Sequence, residues 1–430
     1  MKKFVLGACA ALPLWSFAAQ AQTPAPIVPV GGEMPAGGSM MMPGEGVSQT
    51  GATDYLTTPR ADWGNAVGIG GGMAPSSRFY TEASYLLMYV SDATINQPIL
   101  TTGLAGGTGT RTLAGSRDTD YDVMSGFKIA VGGLVGGNSI GVDVNAMFLG
   151  RVSDTQTFGP QSGTLYARPF FDTTLRSENA KVLASPGAFT GSLVVDNAVS
   201  AWGAEFNPFY RVVQGNSVSL DVITGFRFFS VNEGLNVYDS TRVLPGGTTA
   251  FNGIGLGANS IVLTHDKFSV RNNFYGGNIG GRISFSRGSV FLDASAKVAI
   301  GGVHQILNVD GTTTLAAGGG LVGPTTTAGG FLANPSFTGT RSENRFAVLP
   351  EGNITLGYQM SSWLNIFAGY QGLYLSNVAR PQEQLNRNFA ATNLATTPTY
   401  SARGLSSRNL DIQESDIFMH GFTFGFTITY

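Results

Sequence analysis

The last eleven residues of the chain, HGFTFGFTITY at 420–430, alternate from Phe422 onward between large apolar side chains and threonine or glycine. The large side chains occupy every second position: Phe422, Phe424, Phe426, Ile428 and Tyr430. Because successive side chains of a β-strand point to opposite faces, this spacing predicts a final strand with one apolar, mostly aromatic face. Such a strand suits a soluble β-sandwich with its rings in a core, or a transmembrane β-barrel with its rings turned to lipid.

The beginning of the chain indicates export. Lys2 and Lys3 precede an apolar run at residues 4–17, and an A-x-A cleavage site ends at Ala21. This arrangement is typical of a secretory signal peptide, which we expect at residues 1–21 with cleavage after Ala21. Cleavage at the lipoprotein-like box ending at Cys9 would leave an apolar region of about five residues, below the usual range of about 7–15.

The composition narrows the class of protein. Charged residues make up 12% of the chain, about half the usual share, and glycine accounts for 60 of 430 residues, about twice the average. Loss of Lys2 and Lys3 lowers the formal net charge from −2 to −4, so no nucleic-acid partner is expected. Cys9 is the only cysteine, so the exported chain has no disulfide and no Cys-ligated metal site.

Two segments follow the signal peptide. Residues 22–77 are rich in Pro, Gly, Met and Ser without periodicity, and they predict a flexible periplasmic segment that could plug a barrel or bind a partner. Residues 78–430 contain repeated apolar–polar alternation. After residue 21 no apolar run approaches the roughly 20 residues of a spanning helix, so a membrane crossing here requires a closed barrel.

The alternation predicts about ten strands, with twelve still possible, at 79–90, 123–134, 139–149, 199–213, 217–231, 268–286, 289–301, 346–358, 363–376 and from about 418. Tight turns alternate with long connections rich in Thr, Asn, Gly and Ser, the latter at 91–122, 150–198, 232–267, 302–345 and 377–417. This order is typical of an all-β, antiparallel, up-and-down barrel in an outer membrane, with short periplasmic turns and long extracellular loops. The aromatic face of the last strand then contacts outer-membrane lipid.

The end of the chain also resembles the signal that the barrel assembly machinery reads in outer-membrane proteins, namely a last strand that ends on an aromatic ring. This resemblance implies the assembly machinery as a partner. Seven further groups of residues between Tyr85 and Phe426 resemble, in the same order, motifs of one protein family: YLLMYV with PILTTG, SGFKIAVGG, WGAEFN, GFRFFSVNEGL, DKFSVRNNFYGGNIGGR, NVARP and DIFMHGFTFGF. Together they resemble the Putative beta barrel porin-7 family, which implies an outer-membrane barrel with passive solute passage or an envelope role and brings no catalytic residue.

Charged residues on the predicted inward face number six acidic and five basic: Glu82, Lys128, Asp143, Glu205, Arg211, Asp221, Arg227, Arg282, Asp293, Lys297 and Glu351. Isolated charges in a narrow barrel are costly, so this near-balance favours a paired network. The alternative is a wet lumen in which the charges are solvated.

Three functions therefore remain open: a porin-like barrel, a closed structural or adhesive barrel whose outer loops bind a partner, and a hydrolase. The hydrolase is the least favoured: Asp266 adjoins His265 but strand neighbours point to opposite faces, His304 has no carboxylate at i±2, and His420 lies on the predicted outward face. We expect no enzyme activity, cofactor or metal; the oligomeric state and any solute stay undetermined.

Overall fold

The computed structural model describes residues 79–136, 139–160, 163–318, 324–401 and 411–430. The predicted signal peptide and the predicted flexible segment at 22–77 lie outside these residues. None of the helices in the described ranges is long and apolar enough to span a membrane.

Ten strands form the ring of the main sheet: β1 (Phe79–Val90), β2 (Met124–Gly136), β3 (Ile140–Phe158), β4 (Phe189–Gln214), β5 (Val218–Val243), β6 (Ser260–Arg287), β7 (Val290–Gly318), β8 (Gly339–Gln359), β9 (Leu364–Ala379) and β10 (Glu414–Thr429). Each strand pairs antiparallel with the next along the chain, and β10 pairs with β1, so the sheet closes. The predicted up-and-down barrel is confirmed with ten strands rather than twelve.

The connections differ strongly between the two ends of the barrel. At one end, which we call the short-turn end, neighbouring strands are separated by a few residues only. At the other, the long-loop end, the connections carry secondary structure of their own. Its strands are Thr94–Thr101, Thr112–Asp118, Tyr166–Asp172, Ser177–Ala184, Thr249–Phe251, Ile254–Leu256, Thr325–Ala328 and Asn388–Phe389, with 3-10 helices at Pro381–Gln384 and Ala391–Asn393.

The barrel strands extend further toward the long-loop end than the sequence predicted. β4, β5, β6 and β7 have 26, 26, 28 and 29 residues, whereas about 9–11 cross a membrane. Large parts of the predicted loops 150–198, 232–267 and 302–345 are therefore strand. These parts escaped the prediction because the outward face turns polar there, although inward side chains such as Leu235 and Val237 stay fully buried.

An apolar band surrounds the barrel between the two ends. On β10 the side chains of the C-terminal signal point outward, with Phe422, Phe424 and Phe426 each 44–48% exposed, and Thr423 and Thr427 are buried on the inner face. Stacked or tilted rings form a belt at the long-loop edge of the band, and the ring pairs with centroids 4.6–6.3 Å apart are Phe127–Phe148, Phe148–Trp202, Trp202–Phe228 and Phe228–Tyr275. Interface aromatics of this kind are typical of outer-membrane barrels.

Candidate functional site

The interior of the barrel is the candidate functional site, and side chains fill it in successive layers. At the short-turn end, an aromatic floor is formed by Tyr80, Phe209, Phe291 and Phe367. The rings lie against glycines of neighbouring strands: a Cβ placed on Gly141 would lie 2.2 Å from Phe209 Cζ, and one on Gly357 1.9 Å from Phe291 Cζ. The sequence places glycine at these two positions because no larger residue fits under the rings.

Above the floor lies an ion-pair layer with two centres. In the first, the guanidinium of Arg227 lies 2.8 Å from Glu205 and also contacts Glu351. Lys297 Nζ lies 2.5 Å from Glu205 and 3.6 Å from Glu351. Two carboxylates thus share two cations, all within a region that is almost fully buried.

The second centre is formed by Asp221, with Arg211 at 2.9 Å and Arg282 at 2.9 Å. Arg282 is also 3.7 Å from Asp143, and its guanidinium lies 4.9 Å from the ring centroid of Phe209 in the aromatic floor. The ion-pair layer and the floor are therefore packed together.

Amide side chains join the two centres. Asn207 Nδ2 donates to Glu205 at 2.8 Å and to Asp143 at 3.2 Å, and Asn278 donates to Asn207 Oδ1 at 2.8 Å. Two cavities within this layer measure ≈20 Å³ each, which is space for about one water molecule apiece. Lys128 completes the layer at 3.9 Å from Glu82.

The structure places all eleven charges of the predicted lumen set inside the barrel, Asp293 among them at 6% exposure. It joins ten of them in the ion pairs described above. It also turns Phe422, Phe424, Phe426, Ile428 and Tyr430 to the outside, where Tyr430 closes the β1–β10 seam through two backbone hydrogen bonds with Phe79, of 3.0 and 3.1 Å.

An apolar belt of inward side chains follows above the ion-pair layer. It contains Leu86, Met88, Met147, Leu149, Val199, Phe229, Val231, Phe274, Val303, Leu349, Leu373, Leu375, Ile417 and Met419, each at most 7% exposed. A continuous layer of this kind excludes water, since it offers few partners for hydrogen bonding. It lies across the path that a solute would follow along the barrel axis.

Arg380 anchors the last long loop inside the barrel. Its Nη2 lies 2.8 Å from Glu233 of β5, and its guanidinium also donates to the backbone oxygens of Ser91 and Asp92 at 3.2 and 2.8 Å. Burial opposes the charged form, but the Glu233 carboxylate raises the pKa of Arg380 above its ordinary value. The contacts connect the loop after β9 both to the barrel wall and to the loop after β1.

A second group of loop residues fills the long-loop end. Arg168 is fully buried, and its two terminal nitrogens lie 2.7 Å from Asp239 and 2.7 Å from Asp266 on the barrel wall. Lys181 also lies 2.7 Å from Asp239, and burial lowers the pKa of Lys181 despite this carboxylate. Around them, loop and barrel side chains form one apolar core that includes Ile99, Leu100, Phe170, Phe268, Leu307, Phe331 and Phe389.

This upper part of the interior was not predicted from the sequence. Arg168, Lys181 and Arg380 lie on loop segments, where no periodicity indicates which way a side chain points. Glu233 and Asp239, in contrast, belong to a continuing alternation with Val231, Leu235 and Val237, all of which are buried. That inward apolar alternation is a signal by which the continuation of β5 could have been found. We call the parts of β3 to β8 that lie beyond the aromatic belt, toward the long-loop end, the strand extension.

The three histidines lie apart from one another. His265 stacks on Tyr238 with a centroid distance of 4.2 Å. His304 Nδ1 is 2.7 Å from Asn344 Oδ1, and His420 Nδ1 is 2.6 Å from the Tyr370 hydroxyl. Within the described ranges, no cluster of three or more His, Cys, Asp or Glu side chains could hold a metal ion.

A closed ring of antiparallel strands, an outward apolar band and charged side chains that point inward at the level of that band define an outer-membrane β-barrel. Residues 79–430 match the family described as Putative beta barrel porin-7, so the chain belongs to this family, as the sequence motifs predicted. No curated protein sequence matches the chain.

Solved structures resemble the chain less closely than the family does. The outer membrane protease OmpT of Escherichia coli is 10% identical, with a TM-score of 0.38 and coverage of 82% of this chain and 97% of that chain. A FadL homologue of Pseudomonas aeruginosa is 8% identical, with a TM-score of 0.21 and coverage of 87% and 98%. At these TM-scores neither structure carries a functional argument.

Proposed function

We propose that this protein is a closed outer-membrane barrel with a structural or adhesive role in the envelope, and that its long loops offer the surface for a partner. The observation that carries this proposal is the succession of aromatic floor, ion-pair layer and apolar belt across the interior. Barrels of about eight strands are filled by their own side chains, and about 16 strands leave an aqueous channel. A barrel of ten strands is therefore closer in size to the barrels that are filled by their own side chains.

The second candidate is porin-like passive passage of solutes, which the description of the family favours. Against it stand the buried ion pairs: ten of the eleven lumen charges have an oppositely charged partner at 2.5–3.9 Å or in direct contact, so little polar surface is free to solvate a solute. The hydrolase is weaker still, because the hydrogen-bond partners of His265, His304 and His420 are Asn236, Asn344 and Tyr370, and none of these is a carboxylate or a serine. We therefore propose a non-enzymatic role.

Single-channel recording distinguishes these candidates. We expect the purified, refolded full chain to give no stable currents in a planar bilayer in which an open porin, used as positive control, conducts. The Arg380→Ala variant should also stay silent, because releasing the last long loop leaves the floor and the ion-pair layer in place. Large, stable currents from the unmodified protein would overturn the closed barrel. Currents from Arg380→Ala alone would instead identify the loop as a gate over an open pore.

We also propose that the long-loop end faces the cell exterior and the short-turn end the periplasm, as in other outer-membrane barrels. Cysteines introduced at Thr108, Gly159 or Thr248, three long-loop positions open to solvent, should react with an impermeant maleimide on intact cells. Cysteines at Asn216 or Ser362 in the short turns should react only after permeabilisation. Labelling of the second pair on intact cells would reverse the orientation.

A further inference from the structure

The outward face of the strand extension carries a groove on the five neighbouring strands β3 to β7. Its volume is ≈550 Å³, and its lining includes the small residues Ala198, Ser200, Gly234 and Ser269. Three cationic side chains also line it, and we call this feature the basic groove after them: Arg151, Lys267 and Arg271. None of these three side chains takes part in the interior layers, whereas Glu233, the acidic residue of the same lining, pairs with Arg380 inside the barrel.

The cations of the basic groove are only partly neutralised. Arg271 Nε donates to the Asn232 side-chain oxygen at 3.0 Å, which orients the guanidinium without cancelling its charge. Arg151 lies 3.5 Å from Asp196, but its side chain is 65% exposed, so solvent screens this pair. Lys267 forms no ion pair with the residues that the structure describes, although Asp310 lies opposite it on the neighbouring strand β7.

The arginines on β8 provide a contrast. Arg341 lies 3.0 Å from Glu343, and Arg345 lies 2.5 Å from Glu343 and contacts Glu414 as well. On that side of the extension each guanidinium has a close carboxylate. The basic groove thus differs from β8 in having cations without a close carboxylate, and Arg242 on β5, which lies 3.4 Å from the Asn259 side-chain oxygen, is a further such cation outside the groove.

The basic groove lies above the aromatic belt. Arg271 is four residues from Tyr275 on β6, which is about 13 Å along the strand and about 10 Å along the membrane normal for a strand tilted by about 40°. Tyr275 is in ring contact with Phe228, and Phe228 with Trp202. Because interface aromatics lie at the level of the lipid headgroups, Arg271 lies on the outer side of that level, and Lys267, four residues further along β6, lies about another 10 Å out.

We propose that the basic groove binds the phosphorylated headgroup of a glycolipid in the outer leaflet. Arginine presents two N–H donors in a fork that matches a phosphate, and lysine adds a mobile point charge. The small side chains between them leave space for a sugar ring, and the rings of the belt below contact the acyl chains. The inference rests on the proposed orientation and is independent of whether the barrel conducts.

Calorimetric titration in an uncharged detergent tests this proposal with three probes: diphosphoryl lipid A, fully dephosphorylated lipid A and inorganic phosphate. The proteins are the wild type, the double variant Lys267→Gln with Arg271→Gln, and the charge-matched control Arg341→Gln with Arg345→Gln. We expect the wild type and the control to bind diphosphoryl lipid A, and the groove variant to bind it about 10- to 30-fold more weakly, as two cations near a lipid surface should give. Binding should also weaken as salt increases.

Each other outcome would overturn the assignment. Equal affinity for the dephosphorylated lipid would show that phosphate is not recognised, and unchanged affinity of the groove variant would place the site elsewhere. If inorganic phosphate binds as tightly as diphosphoryl lipid A and displaces it, the groove is a site for soluble anions and not for lipid. Since all substituted side chains are on the outer surface, the shift of heat-modifiable migration on a gel can verify that each variant is folded before titration.

Discussion

The Arg227→Ala variant is expected to lose about 3–5 kcal/mol of folding free energy, the range for breaking a buried ion pair by removing one partner. Arg227 is 3% exposed and lies between the carboxylates of Glu205 and Glu351. Without it, Lys297 is the remaining cation that contacts both carboxylates. Urea unfolding of the refolded barrel in detergent, followed by heat-modifiable migration on a gel, measures the change.

Two further variants make this result specific to the ion-pair layer. The matched control Arg341→Ala removes a half-exposed arginine from a pair with Glu343 and should cost no more than about 1 kcal/mol. The double variant Arg227→Met with Glu351→Gln should recover much of the loss, because Glu205 then keeps Lys297 at 2.5 Å as a single balanced pair. Equal stability of Arg227→Ala and the wild type would indicate a solvated lumen in place of the paired one.

Loss of assembly is the second large effect, and it is expected for Phe426→Asp and for deletion of Tyr430. Phe426 is 44% exposed on the lipid-facing side of β10, where a charge costs up to about 2–4 kcal/mol for Arg or Lys near the membrane midplane and less for Asp. Deletion of Tyr430 removes its two backbone hydrogen bonds to Phe79 and the ring that ends the proposed recognition signal for the assembly machinery.

The amount of folded, heat-modifiable protein in isolated outer membranes measures this effect. The control Phe426→Leu keeps an apolar side chain at the same place and should assemble like the wild type. If both Phe426→Asp and the Tyr430 deletion also insert normally, the outward aromatic face of β10 is not what the assembly machinery reads. Refolding of the purified variants in detergent separates a defect of recognition from a defect of the fold.

The sequence alone was sufficient for the class of fold, for a count of about ten strands and for the face on which the side chains of the membrane band lie. The physical reason is that lipid and the narrow lumen impose opposite demands on successive residues, so that Phe424 and Thr423, or Phe206 and Glu205, differ visibly in the sequence. The same alternation placed Arg227, Asp221 and the other predicted lumen charges on the inner face. Short turns marked the ends of the hairpins.

Only the tertiary structure decided how far the strands continue and what closes the interior. Beyond the membrane the outward face meets water, as at Asn232 and Lys267, so the contrast that marks a lipid-facing strand disappears although the strand goes on. The partners of Arg168 and Arg380 lie 71 and 147 residues away along the chain, at Asp239 and Glu233. No local pattern encodes such pairs, because they exist only once the ring has closed and the loops pack inside it.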